Sequence, residues 1–202
     1  MNTGQHIAQI LIEKQAVKLN FEERFTWTSG IQSPIYCDNR LLIGHTDARK
    51  AIVDAFVNKI SSMYPEVQYV AGTATAGIPW AAFVAWELNI PMVYVRSKPK
   101  SHGAGRMVEG YIEPKKNVVV IEDLISTGGS SIKSAHALKN EFNANVLGIM
   151  SIFEYGFGST KKAFIAENIT YHSLSNISYI TKHLQLPEAE QKELAVFLQK
   201  KA

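Results

Sequence analysis

Cysteine is almost missing from this chain: Cys37 stands alone among 202 residues. One thiol excludes an intrachain disulfide and any multi-cysteine metal site. Long hydrophobic runs are missing too. No window approaches the roughly eighteen uninterrupted apolar residues of a membrane-spanning helix, so no membrane partner is expected. The opening MNTGQHIAQILIEKQAV has neither a basic n-region nor a long apolar core. It does not resemble a secretory signal, and a cytoplasmic location is expected. Charge of one sign is not in large excess: 21 Lys and Arg against 18 Asp and Glu leave a net charge of +3. That balance gives no ground for a nucleic-acid partner, although it suits a protein with an anionic ligand. With no repeat, low-complexity tract or Pro/Ser-rich linker, residues 1–202 are expected to form one domain.

What is present is the composition of an ordinary globular protein, 46% apolar and 19% charged. Ile7, Ile10, Leu11 and Lys14 fit an amphipathic helix. FTWTSGIQSPIYCDNR (25–40) reads as two short strands joined by a turn, broken by Ser29-Gly30 and Ser33-Pro34. Residues 46–64 start on Thr46 and space Ile52, Val53, Phe56, Val57 and Ile60 as a helix.

An alternation follows. Strands are expected at 67–72, 92–97, 118–123, 146–153 and 169–173, and helices at 78–88, 130–142 and 160–167. A Pro-started helix closes the chain at 186–202. Near-continuous apolar strands alternating with helices predict an α/β fold, a parallel sheet with helices on both faces. In such sheets ligands bind beyond the carboxyl ends of the strands. Three loops then matter: 72–77, 96–110 and 122–131.

The loop GTATAG (72–77) has the two glycines of a Walker loop, but Ile78-Pro79 stands where Lys and Ser/Thr are required. No GxGxxG opens a helix after a strand, so ATP hydrolysis and dinucleotide binding are both disfavoured. The segment STGGSS (126–131) follows a strand and opens a helix, where backbone N–H groups and hydroxyls can hold an anion. Composition alone leaves a plain βα turn equally open. Glu122 and Asp123 are placed at the strand's end. Beside an anion cradle they need something between: sugar hydroxyls, which carboxylates accept, or a magnesium ion. A phosphorylated ribose supplies both demands, while a salt-bridged pair at a sheet edge is the plainer alternative. The loop RSKPKSHGAGRMVEG gathers Arg96, Lys98, Lys100, His102 and Arg106 around Gly103 and Gly105. A solvated basic loop is the usual meaning of such a run. After a strand's carboxyl end it suits a flap that closes over a polyanion.

VVVIEDLISTGGSS is similar to the 5-phosphoribosyl-1-diphosphate (PRPP) binding segment of the phosphoribosyltransferases. FTWTSGIQSPIYCDNR, GTATAGIP and YVRSKPKSHGAG look, in the same order, like segments of the orotate phosphoribosyltransferase family. The resemblance covers residues 25–153 and the remainder less distinctly. It implies the phosphoribosyltransferase fold, with residues up to about 45 as a helix plus a small hood over the base site and about 46–202 as the α/β core. It implies transfer of 5-phosphoribosyl from PRPP to orotate, giving orotidine 5′-monophosphate and pyrophosphate in pyrimidine biosynthesis. It further implies Mg²⁺ held mainly through PRPP and water, with no direct protein ligand, and a homodimer with shared active sites.

Carried over residue by residue, the resemblance makes Lys100, His102 and Asp123 catalytic. PRPP would meet Arg96, Lys100, His102, Glu122, Asp123, Leu124, Ile125, Ser126, Thr127, Gly128, Gly129 and Ser130. Orotate would meet Ser126 and Tyr36. Relatives carry lysines where Thr28 and Ala76 stand, and some carry a base-binding arginine where this chain reads FEYGFG (153–158). A transferase for another base and a PRPP-sensing nucleic-acid-binding regulator are the alternatives. The orotate-like hood segment speaks against the first and the modest charge against the second. Trp80 is expected to be a buried helix residue, Tyr111 and the remaining aromatics to be core, and His45, His136, His172 and His183 to be structural or surface residues.

Overall fold

The computed structural model describes residues 2–27, 30–99 and 105–200. Lys100, His102 and Thr28 lie outside the described residues. Helix α1 (Thr3–Glu13) is capped by Asn2, whose side chain accepts from the Gln5 amide while the Gln5 side chain accepts from the Asn2 amide. This reciprocal box satisfies two of the helix's orphan donors. Its buried face, Ile7, Ile10 and Leu11, is the apolar stripe seen in the sequence.

Two small antiparallel pairs follow. β1 (Val17–Leu19) pairs with β4 (Ile35–Cys37), and β2 (Phe25–Thr26) pairs with β3 (Gln32–Ser33). A 3-10 helix (Asn39–Gly44) leads into α2 (Thr46–Met63). The core then alternates β5 (Tyr69–Thr73), α3 (Gly77–Leu88), β6 (Met92–Val95), β7 (Val108–Glu109), β8 (Asn117–Ile125), α4 (Gly129–Phe142), β9 (Asn145–Glu154), α5 (Gly158–Ala166) and β10 (Tyr171–Asn176). Helices α6 (Ile177–Leu184) and α7 (Glu188–Lys200) close the described chain.

The large sheet has six strands in the order β10-β9-β8-β5-β6-β7, parallel throughout except for antiparallel β7 at one edge. Side chains of β8 alternate: Val119 and Ile121 pack with Trp80, Phe56 and Ile52, while Val118 and Val120 pack with Ala135, Leu138 and Phe164. The apolar run VVVI is thus a strand buried on both faces, between α1–α3 on one side and α4–α5 on the other. Gly77 lets α3 start against β8, because a Cβ there would fall 2.5 Å from the Ile121 carbonyl oxygen.

Several expectations change. β8 runs two residues beyond Asp123, paired to β9 through Glu122–Ser151, Leu124–Phe153 and Ile125–Glu154. The acids therefore stand inside the ladder rather than at the strand's end. The last strand starts and ends later than its apolar residues suggest, and α6, β1 and the edge strand β7 are added. Trp80 is buried as expected, but Tyr111 and Trp86 are 74% and 86% exposed. Aromatic character fits a core equally well from any position; Tyr111 follows Gly110 beside the edge of the sheet, where nothing covers it among the described residues.

Candidate active site

The carboxyl end of β8 carries the acids. Glu122 is only 5% exposed, and its carboxyl accepts from the Ser130 and Ser131 hydroxyls and from the Asp123 amide, each at 3.2 Å. Burial, and then the charge of Asp123, raise the Glu122 carboxyl to about 8. Burial also raises Asp123, against the pull of its hydrogen bond from Glu122. Two neighbouring carboxyls in a poorly solvated place resist double ionisation, so burial raises both and favours a proton held by the pair. These acids line a cavity of about 310 Å³ together with Asp38, Arg40, Ala74, Thr75, Ala76 and Ser130.

The turn out of β8 is built to expose its amides. Gly128 adopts φ +82° as the residue before α4, and Gly129 opens that helix. A Cβ on Gly128 would fall 2.5 Å from a ring carbon of Phe164, so only glycine fits by both conformation and space. Thr160 donates its hydroxyl to the Ser126 carbonyl, fixing the turn's first residue from α5. Thr73 at the end of β5 donates to Ser134 on α4, which in turn donates to the Ser130 carbonyl, at 3.1 Å each. The helix start is thereby held against the neighbouring strand, with Ser130 of its first turn lining the acidic cavity.

Beside the acidic cavity lies a larger one of about 540 Å³, lined by Thr26, Trp27, Ile31, Tyr36, Leu124, Ser126, Tyr155 and Phe157 among others. Cys37 and Leu124 line both. The wall is a set of aromatic rings. Trp27 meets Tyr155 at 4.9 Å and, edge-on, Phe197 of α7 at 5.9 Å, while Tyr155 stacks on Phe157 at 5.5 Å. Trp27 is oriented by donating its indole N–H to the Ile35 carbonyl at 3.0 Å. The Arg24–Glu193 ion pair joins the hood to α7 beside these rings. Among the described residues, no cationic side chain lines this cavity.

The structure thus brings Glu122, Asp123 and Ser130 to one cavity and Tyr36, Ser126 and Thr127 to its neighbour, with Leu124 between. Ile125 turns its side chain into the core instead. Arg96 pairs with Glu109 at 3.0 Å and lines neither cavity. Arg106 lies over the Phe142 ring at 5.6 Å. Lys100 and His102 fall outside the described residues.

Sequence reasoning missed four contributors. Asn39, fully buried, donates to the Asp123 carbonyl at 2.7 Å and accepts from the Cys37 thiol at 3.4 Å. Arg40 faces the acidic cavity. Tyr155 and Phe157 form the aromatic wall, and their signal was available: Phe153, Tyr155 and Phe157 alternate with period two, as a strand and its extension would.

Comparison with known proteins agrees with this geometry. Residues 43–177 match the model of the phosphoribosyl transferase domain. An orotate phosphoribosyltransferase of Listeria innocua serovar 6a is 51% identical over 176 residues, covering 87% of this chain and 84% of that protein. One from Oceanobacillus iheyensis is 46% identical over 198 residues, 96% of this chain and 98% of its own. The crystal structure of orotate phosphoribosyltransferase from Aeropyrum pernix superposes with a TM-score of 0.75 at 28% identity, over 89% of this chain and 98% of that one.

Proposed function

We propose that this chain, which belongs to the orotate phosphoribosyltransferase family, seats orotate in the aromatic cavity and the ribose of PRPP in the acidic one. The enzyme transfers the 5-phosphoribosyl group of PRPP to orotate, giving orotidine 5′-monophosphate and pyrophosphate in pyrimidine biosynthesis. The observation that carries the seating is the adjacency of the two cavities through Cys37 and Leu124. A flat ring in one and a diol in the other bring the base nitrogen beside the ribose C1.

Each residue's part follows from its place. The turn 126–130 holds the 5-phosphate through amides at the start of α4, that of Ser130 among them, and through the Thr127 hydroxyl. Glu122 and Asp123 accept hydrogen bonds from the ribose hydroxyls. Trp27, Tyr155 and Tyr36 confine the orotate ring, and Ser126 hydrogen-bonds its polar edge. The orotate nitrogen forms the new bond to C1 as the bond from C1 to the diphosphate oxygen breaks. Negative charge leaves on pyrophosphate, and positive charge gathers at C1 beside the acids. No side-chain nucleophile is needed; the protein orients, stabilises charge and keeps water out.

The described residues contain no cluster of three potential metal ligands. Two adjacent carboxyls beside a diphosphate site suit a Mg²⁺ ion held mainly by substrate oxygens and water. When bound, the ion supplies charge neutralisation on the departing diphosphate. Lys100 and His102, with Arg96 at the base of their loop, meet that diphosphate from the neighbouring subunit of a homodimer. A cytoplasmic location belongs to the same reading, since both substrates are charged metabolites that do not cross membranes unaided. Among the described residues no helix is long and apolar enough to cross one.

The test follows loss of orotate absorbance with PRPP and Mg²⁺. Lys100→Ala and Asp123→Asn each lose about 10²-fold or more in turnover. After subunit exchange, mixing the two restores up to roughly a quarter of wild-type activity, because hybrid dimers rebuild one intact site. Exchange without recovery would remove Lys100 from the partner's site.

A further inference from the structure

We propose that Arg40 is a diphosphate-binding residue, meeting the leaving group of PRPP from the hood of the same subunit. The proposal rests on the reading that the acidic cavity takes the ribose end of PRPP. Arg40 is the one cationic side chain lining that cavity among the described residues. The other polar side chains there are the carboxyls of Asp38, Glu122 and Asp123 and the hydroxyls of Thr75 and Ser130. The loop facing it contributes Ala74 and Ala76, which bring no charge. An anion whose charge grows as it leaves needs a cation on this wall.

The guanidinium is presented for that purpose. Asp38 grips it side-on, accepting from Nε and Nη2 at 2.7 Å each. The described hydrogen bonds leave Nη1 free, so a second face of the fork remains to bind phosphate oxygens in the bidentate manner suited to arginine. The Arg40 amide also donates to Asp38, at 3.1 Å, so backbone and side chain are locked together. Little rotamer freedom is left to lose on binding. The adjoining Asn39 ties this turn to the Asp123 carbonyl, which fixes the distance between the cation and the acids. The charge of Arg40 already reaches the cavity floor, pulling Asp123 downward against the larger effect of burial. The side chain is 64% exposed, so its replacement leaves the core untouched.

Calorimetry with PRPP, inorganic pyrophosphate and ribose 5-phosphate, each with Mg²⁺, tests this on the intact protein. Arg40→Gln is expected to weaken PRPP and pyrophosphate by about 10- to 100-fold, the loss of a hydrogen bond to a charged group. Ribose 5-phosphate, which lacks the diphosphate, should change by less than about twofold, and Arg40→Lys should recover part of the loss. Equal weakening of all three ligands would show a structural role and overturn the proposal. So would unchanged pyrophosphate binding with a raised KM for orotate. Asp123→Asn separates the two levels of inference. If it abolishes PRPP binding while Arg40→Gln is silent, the Arg40 assignment alone falls. If neither affects PRPP binding, the reading of the cavity falls with it.

Discussion

The side chain of Asn39 donates to the main-chain carbonyl of Asp123 at 2.7 Å, joining hood and sheet at the point where two cavities meet. Both residues are 84 positions apart in the chain, and this bond sets how the aromatic pocket lies relative to the acids.

Asn39→Ala removes the donor and leaves a part-buried carbonyl and the Cys37 thiol without their partner. The expected cost is about 1–3 kcal/mol of stability. Because the bond spans both cavities, KM should rise for orotate and PRPP together. Thermal unfolding and initial rates measure the two effects, and a rise confined to one substrate would contradict the spanning role.

Glu122 gives a pH dependence of defined sign. Burial first, and the charge of Asp123 second, raise its folded-state carboxyl to about 8 from 4.5. The folded chain then holds a proton that the unfolded chain has released, so stability falls as pH rises through that window. The melting temperature of the ligand-free protein should drop between about pH 5 and 8.5, and Glu122→Gln should flatten the drop. An unchanged profile in that variant would place the titration elsewhere.

At Gly128 the prediction is steric. Gly128→Ala must hold φ +82° with a side chain and push a methyl against Phe164, itself stacked on Tyr171 at 4.2 Å. The left-handed conformation alone costs about 1–2 kcal/mol. PRPP binding should weaken, and adding Phe164→Leu should restore space but not conformation, hence only part of the affinity. Full recovery in the double variant would show that space was the whole effect.

Phe197 supports the base pocket from behind without lining it. Phe197→Ala leaves Trp27 without its edge-on partner and costs about 3–5 kcal/mol if the site does not collapse. Steady-state kinetics should show a raised KM for orotate with that for PRPP nearly unchanged, and Phe197→Leu should be milder.

The sheet was legible because strands buried on both faces leave near-continuous apolar runs such as Val118 to Ile121, and their alternation with helical spacing points to a parallel sheet. Its end was not legible. Glu122 and Asp123 look like a stop, yet the ladder to Ser151, Phe153 and Glu154 carries the strand on to Ile125. Long-range pairing decided it, which a local pattern does not contain. The glycine turn stood out by composition, since few residues tolerate what Gly128 does. The aromatic box was legible only in part, through the alternation of Phe153, Tyr155 and Phe157. Trp27, Tyr155 and Phe197 are ordinary core candidates one by one, and only the fold makes them neighbours. Tyr111 shows the reverse error, an aromatic assigned inward that faces solvent.

Trp27, near one end of the chain, is backed edge-on by Phe197 near the other, and the two segments are clasped by Arg24 and Glu193. The acids, the glycine turn and the strands that carry them lie in the middle. Removing α7 takes away the edge-on partner of Trp27 and the clasp at Arg24, and leaves the contacts described for the acids and the glycine turn in place.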